Sequence, residues 1–172
     1  MNYNNKEFES RQFNNINFSD TSFSNSSFTN CIFDNCNLSN VDTQNTRFQD
    51  VTFKNCKILG VHFSKCNKFI LSFTFENSLV SMCLFSDLNL KGTLFDTCQV
   101  FDCDFFNTNL EKSSFENSNL RGSRFQKTIL SFANFRNAFN YIIDPTQNTL
   151  KKTKFMIPEV IGLLNSFDIE IE

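Results

Sequence analysis

Seven cysteines, one histidine and 18 carboxylates are the side chains of this 172-residue sequence that could do chemistry. A thiolate serves as nucleophile or metal ligand, an imidazole as general base, and a carboxylate as acid, base or displayed negative charge. The cysteines, at 31, 36, 56, 66, 83, 98 and 103, are odd in number and include no C-x-x-C pair, which argues against a disulfide framework and a zinc site. The lone His62 leaves no Ser-His-Asp set, and there is no Gly-rich phosphate loop. The sequence therefore assigns no catalytic, cofactor-binding or metal-binding residue. The chemistry it carries is the chemistry of presenting groups, so the elements that position them matter most.

The bulk numbers narrow the class. A net charge of −2 and a pI near 5.5 exclude an overall cationic nucleic-acid binder, so no direct nucleic-acid partner is expected. No apolar run approaches the ~20 residues of a membrane-spanning helix, so no membrane partner is expected either. The start, Met1 to Phe8, lacks the apolar stretch of a secretory signal, and a cytoplasmic protein is expected.

The composition is skewed: 24 Phe against 2 Tyr and no Trp. The Phe residues recur every five positions from Phe8 to Phe63, slip by two, and resume from Phe75 to Phe135. Of 25 such centres, 24 are Phe, Leu, Ile or Val, and only Thr43 departs. A period of 3.6 cannot keep a five-residue spacing on one face, so a long helix is excluded. Two residues before each centre stands a small residue, and the residue between is polar. That alternation marks a three-residue strand. The two residues after each centre are mostly Ser, Asn, Asp, Lys or Gln, the residues of a turn. All seven cysteines occupy the small slot, which points inward, where a thiol behaves as a compact hydrophobe.

This pattern, small–polar–Phe/Leu–x–x over roughly residues 6–139, resembles the pentapeptide-repeat family. The resemblance implies an all-β solenoid, a right-handed quadrilateral β-helix with four units per coil. Stacking centres 20 apart agrees with four sides: Phe13, Phe33, Phe53, Phe75, Phe95, Phe115 and Phe135 form one uniform column, and Phe18, Leu38, Ile58, Val80, Val100 and Leu120 its neighbour. The slip is read as a two-residue bulge within 64–74. The organisation expected is a β-helix over 1–141, then a partial coil and a short C-terminal α-helix over 142–172. Pro158 and Glu159 suit a helix start, and 168–172 alternates like a short strand.

Function is expected on the outside. After the all-Phe centres, one column reads Asn14, Asp34, Lys54, Glu76, Asp96, Glu116, Arg136. Asp34, Glu76, Asp96 and Glu116 are a candidate acidic contact face, the last three about 5 Å apart in successive coils. Leu59, Leu79, Leu84, Phe101 and Phe106 fall at outward positions on two adjoining sides and form a candidate apolar contact patch. Val160, Ile161, Leu163, Leu164, Phe167, Ile169 and Ile171 are candidates for capping the open end and for a homodimer interface. The family resemblance supports the homodimer, since several members join end to end through a C-terminal helix. It also implies a narrower alternative to a general interaction module. One branch of the family imitates duplex DNA, binds DNA gyrase or topoisomerase IV and gives quinolone protection. The near balance of 16 basic and 18 acidic residues departs from that branch.

Overall fold

The computed structural model describes residues 3–167, 169 and 170. The chain is a parallel β-solenoid of about 7 turns. Glu7–Glu9 pairs in parallel with Ser27–Thr29, and Gln12–Asn14 with Ile32–Asp34, each partner one coil further on. The four sides carry the centre columns that begin at Phe8, Phe13, Phe18 and Phe23, called here faces 1 to 4.

The corners explain why the unit is five residues long. The second residue after nearly every centre turns the chain with a left-handed backbone. Among the described residues, 24 non-glycine positions have positive φ, and 17 of these are Asn or Asp. Those two side chains tolerate the left-handed region best. Many also bond along the stack: Asn35 Nδ2 donates to Asn15 Oδ1 at 2.6 Å, Asn45 to Asn25 at 3.0 Å and Asn137 to Asn117 at 3.1 Å. Thr97 interrupts the corner column Asn55, Asn77, Asn117, Asn137 with a β-branched residue at φ 55°. Thr97→Asn is expected to relieve roughly 1 kcal/mol of left-handed strain and to raise the melting temperature by about 2–4 °C. An unchanged or lowered melting curve would contradict that account.

Inside, every centre from Phe13 to Phe135 is buried, with Phe95, Phe105 and Phe115 at 0% exposure. Rings of one column stack almost parallel: Phe75–Phe95 at 4.7 Å and 7°, Phe85–Phe105 at 5.0 Å and 3°. Rings of opposite faces, 2 and 4, meet edge to face across the interior, as Phe95 and Phe105 do at 5.9 Å and 89°. Both geometries satisfy the aromatic quadrupole, and a four-sided tube supplies both at once.

The small slot has a second requirement that the sequence pattern did not reveal. Where the slot holds Ser, Thr or Cys, the side chain in many cases donates to a carbonyl of the preceding coil. Ser118 Oγ donates to Phe95 O at 2.9 Å, Thr46 Oγ1 to Phe23 O at 2.9 Å, and Cys36 Sγ to Phe13 O at 3.3 Å. Ser, Thr and Cys are small residues that also carry a donor, whereas Val41, Val51, Val61 and Ala133 fill the slot by size alone. All seven cysteines are buried there. Burial pushes the thiols of Cys66 and Cys98 up to about 12, away from the reactive range.

The slip lies between Asn67 and Phe73. Before it Phe33 pairs with Phe53, 20 residues on; after it Phe53 pairs with Phe75, 22 on. Phe73 sits in a small-residue slot yet is buried, with its ring 5.5 Å from Phe48 and 5.1 Å from Phe63. Leu71 takes the register place of a face-1 centre opposite Phe48, and the Phe73 ring fills the core volume beside it. Phe69 is thereby released and stands 90% exposed.

At the far end Leu150 and Phe155 build a last partial coil, and Phe155 stacks on Phe135 at 5.2 Å. The expected helix follows as Glu159–Phe167, but it is a 3₁₀-helix and not an α-helix. Ile161 N donates to Pro158 O at 3.0 Å, an i to i−3 bond, following one i to i−4 bond from Val160 N to Met156 O at 3.0 Å. The consequence is geometric. An α-helix would put Val160, Leu163, Leu164 and Phe167 on one side. Three residues per turn split them: Val160 and Leu163 are half-buried, while Ile161, Leu164 and Phe167 line up in the open. Ile169 is exposed with no strand at 169 or 170; Asp168, Ile171 and Glu172, the rest of the expected strand and the last interface candidate, lie outside the described residues.

Candidate functional site

The acidic column is assembled as the spacing requires. Asp34 stands opposite Lys54, Lys54 opposite Glu76, and Glu76 opposite Asp96. Glu116 continues the column, since Thr97 N donates to Glu116 O. Asp96 is exposed; Asp34, Glu76 and Glu116 are half-buried. Neighbouring amides hold the carboxylates in place: Asn55 Nδ2 donates to Asp34 Oδ1 at 2.9 Å and Asn134 Nδ2 to Glu116 Oε2 at 3.0 Å. The field of the column reaches the core, where Asp96 and Glu76 reinforce the effect of burial in raising the Cys98 thiol. Lys54 separates Asp34 from the other three, and Arg136 follows Glu116. The uninterrupted negative stretch is therefore three rungs, Glu76, Asp96 and Glu116.

The apolar candidates are brought together but only half exposed. Leu59, Leu79, Leu84, Phe101 and Phe106 are all half-buried. Cations of the next coil lie across two of the rings, Arg121 at 4.8 Å from the Phe101 centroid and Lys127 at 5.5 Å from that of Phe106. Each cation–π contact covers apolar surface with charge, so this is an amphipathic ladder more than an open patch. The cations were legible in principle, since Arg121 is the residue one coil above Phe101.

The C-terminal candidates divide between two roles. Val160 and Leu163 are half-buried, with Leu163 packed on the core. Ile161, Leu164, Phe167 and Ile169 are 42%, 39%, 49% and 55% exposed, with Met156 and Ile157 beside them in sequence at 46% and 80%. Beneath the helix the Tyr141 ring is buried against Phe135 and Phe155, and burial pushes its hydroxyl up to about 12. His62 is exposed, one coil above Asp42. Asp42 accepts from Ser22 and Ser24 and not from an imidazole, so these groups do not form a nucleophile–base relay. Among the described residues no helix is long and apolar enough to cross a membrane, and no group of three or more His, Cys, Asp or Glu could hold a metal.

Two family models match the chain: "Pentapeptide repeat region" over residues 6–82 and "Pentapeptide repeats (8 copies)" over 103–139. No curated protein matches by sequence. Among solved structures the chain is similar to a trypsin-treated variant of QnrB1, a plasmid-mediated fluoroquinolone resistance protein. The identity is 18%, over 99% of this chain and 92% of that one, at a TM-score of 0.48. It is also similar to a pentapeptide repeat protein of the Arabidopsis thaliana thylakoid lumen, 16% identical over 76% of this chain and 69% of that one at TM-score 0.32. A third is HetL of Nostoc sp. strain PCC 7120, involved in heterocyst differentiation regulation, 10% identical over 88% and 86% at TM-score 0.30. With its five-residue period stacked into four faces and both stretches matched to the repeat models, the chain belongs to the pentapeptide-repeat family.

Proposed function

We propose that this protein is a non-catalytic interaction module that presents rigid β-helix faces to a protein partner, as a homodimer joined through its C-terminal segment. The observation that carries the reading is the in-register column Glu76, Asp96, Glu116. Stacked strands keep the carboxylates at about 4.8 Å, so their fields add along one edge. Like charges held so close repel, and a basic partner surface relieves that repulsion. Seven buried thiols suit a reducing compartment, consistent with action in the cytoplasm.

The narrower reading is imitation of duplex DNA toward DNA gyrase or topoisomerase IV. The same column favours it, with carboxylates in place of phosphates and the dimer doubling the set. Against the ~3.4 Å phosphate rise along one strand, the ~4.8 Å carboxylate rise is loose. Three rungs between Lys54 and Arg136 mimic only a short stretch.

The test is the triple variant Glu76→Lys, Asp96→Lys, Glu116→Lys. It is expected to melt within a few degrees of wild type, because the three side chains point outward. It should lose binding to the wild-type partner by about 100-fold or more, as expected for reversing several clustered charges. For gyrase the readouts are surface binding and supercoiling. If excess wild-type protein at low salt neither binds gyrase nor alters supercoiling, mimicry is wrong and the general module stands. If chemical cross-linking in the source lysate captures no protein on the wild-type chain, the module reading itself is wrong.

A further inference from the structure

The bulge at the slip creates an open groove of about 550 Å³ on face 1. Its floor is a two-by-two lattice of outward side chains. Ser27 and Thr29 flank the buried Phe28; Arg47 and Gln49 flank Phe48 one coil further on. Its wall is Phe69 and Ile70, 90% and 48% exposed.

Three features mark this groove as built for contact. First, Phe69 is not needed by the core, because Phe73 fills the place beneath it. A phenyl ring left in water is unfavourable unless something covers it. Second, the bulge is pinned at both ends. Asn67 Nδ2 donates to Asn45 Oδ1 at 3.1 Å, Lys68 Nζ to Asp87 O at 3.2 Å, and Ser72 Oγ to Asp50 Oδ1 at 2.9 Å. The ring is therefore held out in place, a pre-organised projection. Third, Arg47 has no ion-pair partner among the described residues. Five guanidinium donors stand on the floor beside an aromatic wall.

We infer that this groove docks an extended peptide segment of a partner protein that carries an acidic residue two positions from a large apolar one. It rests on the interaction-module reading and names a surface separate from the acidic column. The carboxylate takes Arg47, and the apolar side chain lies against Phe69 and Ile70. The spacing favours a peptide over a compact small molecule. Residues i−1 and i+1 of each floor strand are about 6.8 Å apart, the same interval at which an extended chain presents side chains to one face. Glu7 lies one coil below Ser27 in the Arg47 column, outside the groove lining, and its negative charge opposite Arg47 orients the segment.

The test pans a random dodecapeptide display library on the full chain, then measures a synthetic consensus peptide by anisotropy. The expected consensus holds Asp or Glu two residues from Phe, Leu or Trp. Arg47→Glu and Phe69→Ser should each weaken that peptide by about 10-fold or more. A peptide with Lys in place of its acid should recover binding to Arg47→Glu. Both side chains project from the solenoid, so unchanged melting curves confirm that the fold is kept. The proposal is overturned if no consensus emerges or if both variants bind the consensus peptide as wild type does. Tight binding of benzoate or phenylacetate equal to that of the peptide would assign the groove to a small molecule. Self-association abolished by Phe69→Ser would assign it to a second copy. A lysate partner that survives both groove variants but is lost in the Glu76/Asp96/Glu116 triple variant overturns the groove proposal alone and leaves the module reading standing.

Discussion

Phe105→Ala lowers the unfolding free energy by about 3–5 kcal/mol, the cost of a core aromatic deletion. Phe105 is 0% exposed and has a stacked ring on either side of it in its column. It stacks at 5.0 Å on Phe85 below and on Phe125 above, and meets Phe95 and Phe115 edge to face at 5.9 Å and 5.8 Å. Neighbouring rings cannot collapse into the gap, because each is fixed by its own column and by the hydrogen-bonded coil that carries it. In a solenoid each coil contacts only the next, so a weakened middle coil uncouples the two halves. Urea unfolding followed by far-ultraviolet circular dichroism measures the loss, and the transition should broaden or split as well as shift. Phe69→Ala is the control: a ring 90% exposed should change stability by no more than about 0.5 kcal/mol. If the Phe105→Ala loss stays below about 1 kcal/mol, the stacked-column account of stability is wrong.

The second large effect is on assembly. The full chain is expected to run in light scattering at twice its 20.0 kDa monomer mass, at tens of micromolar. The double variant Leu164→Glu, Phe167→Glu is expected to run at 20.0 kDa. The two residues sit with Ile161 on the open stripe of the 3₁₀-helix, away from half-buried Val160 and from Leu163, which packs on the core. The variant therefore removes the joint while leaving the cap. Ending the chain after Asn148 removes both. That product should be poorly soluble, because Phe135 and Tyr141 lose the Phe155 ring and the helix above them. Charge adds to the fit. Residues 121–155 carry seven basic side chains against Asp144, whereas 156–172 carry four acids and no base. An acidic end segment of one copy set against the basic last coils of the other would make the dimer salt-sensitive. A full-length monomer at tens of micromolar would overturn the joint.

How much was legible in advance varies with how local the physics is. The Phe column, the inward cysteines and the Asn corners follow from short-range rules: alternation across a strand, slot size, and which side chains accept a left-handed backbone. The acidic column was legible too, because in a repeat with fixed register a contact one coil away is simply a residue 20 positions away. Both hold wherever the period holds. Legibility failed where the period breaks. At the slip, Phe69, Ile70, Leu71 and Phe73 compete for one place in the core, and their order in the chain does not say which wins. Leu71 and Phe73 turn inward because the strand that carries them is paired with the coil below, while Phe69 lies on unpaired backbone.

By itself, then, the sequence determined a four-sided solenoid, its interior and the register of its outer columns, because five-residue periodicity ties each side chain to one corner or face. Only the tertiary structure decided which outward groups remain available. Arg121 and Lys127 cover Phe101 and Phe106 because side-chain reach, unlike register, depends on rotamers across coils. The turn count of the end helix decided which of Val160, Ile161, Leu163, Leu164 and Phe167 cap the core and which face out. The groove beneath Phe69 exists because one packing competition inside the tube sent a ring outward, an outcome set by the volume available in the core and not by local pattern.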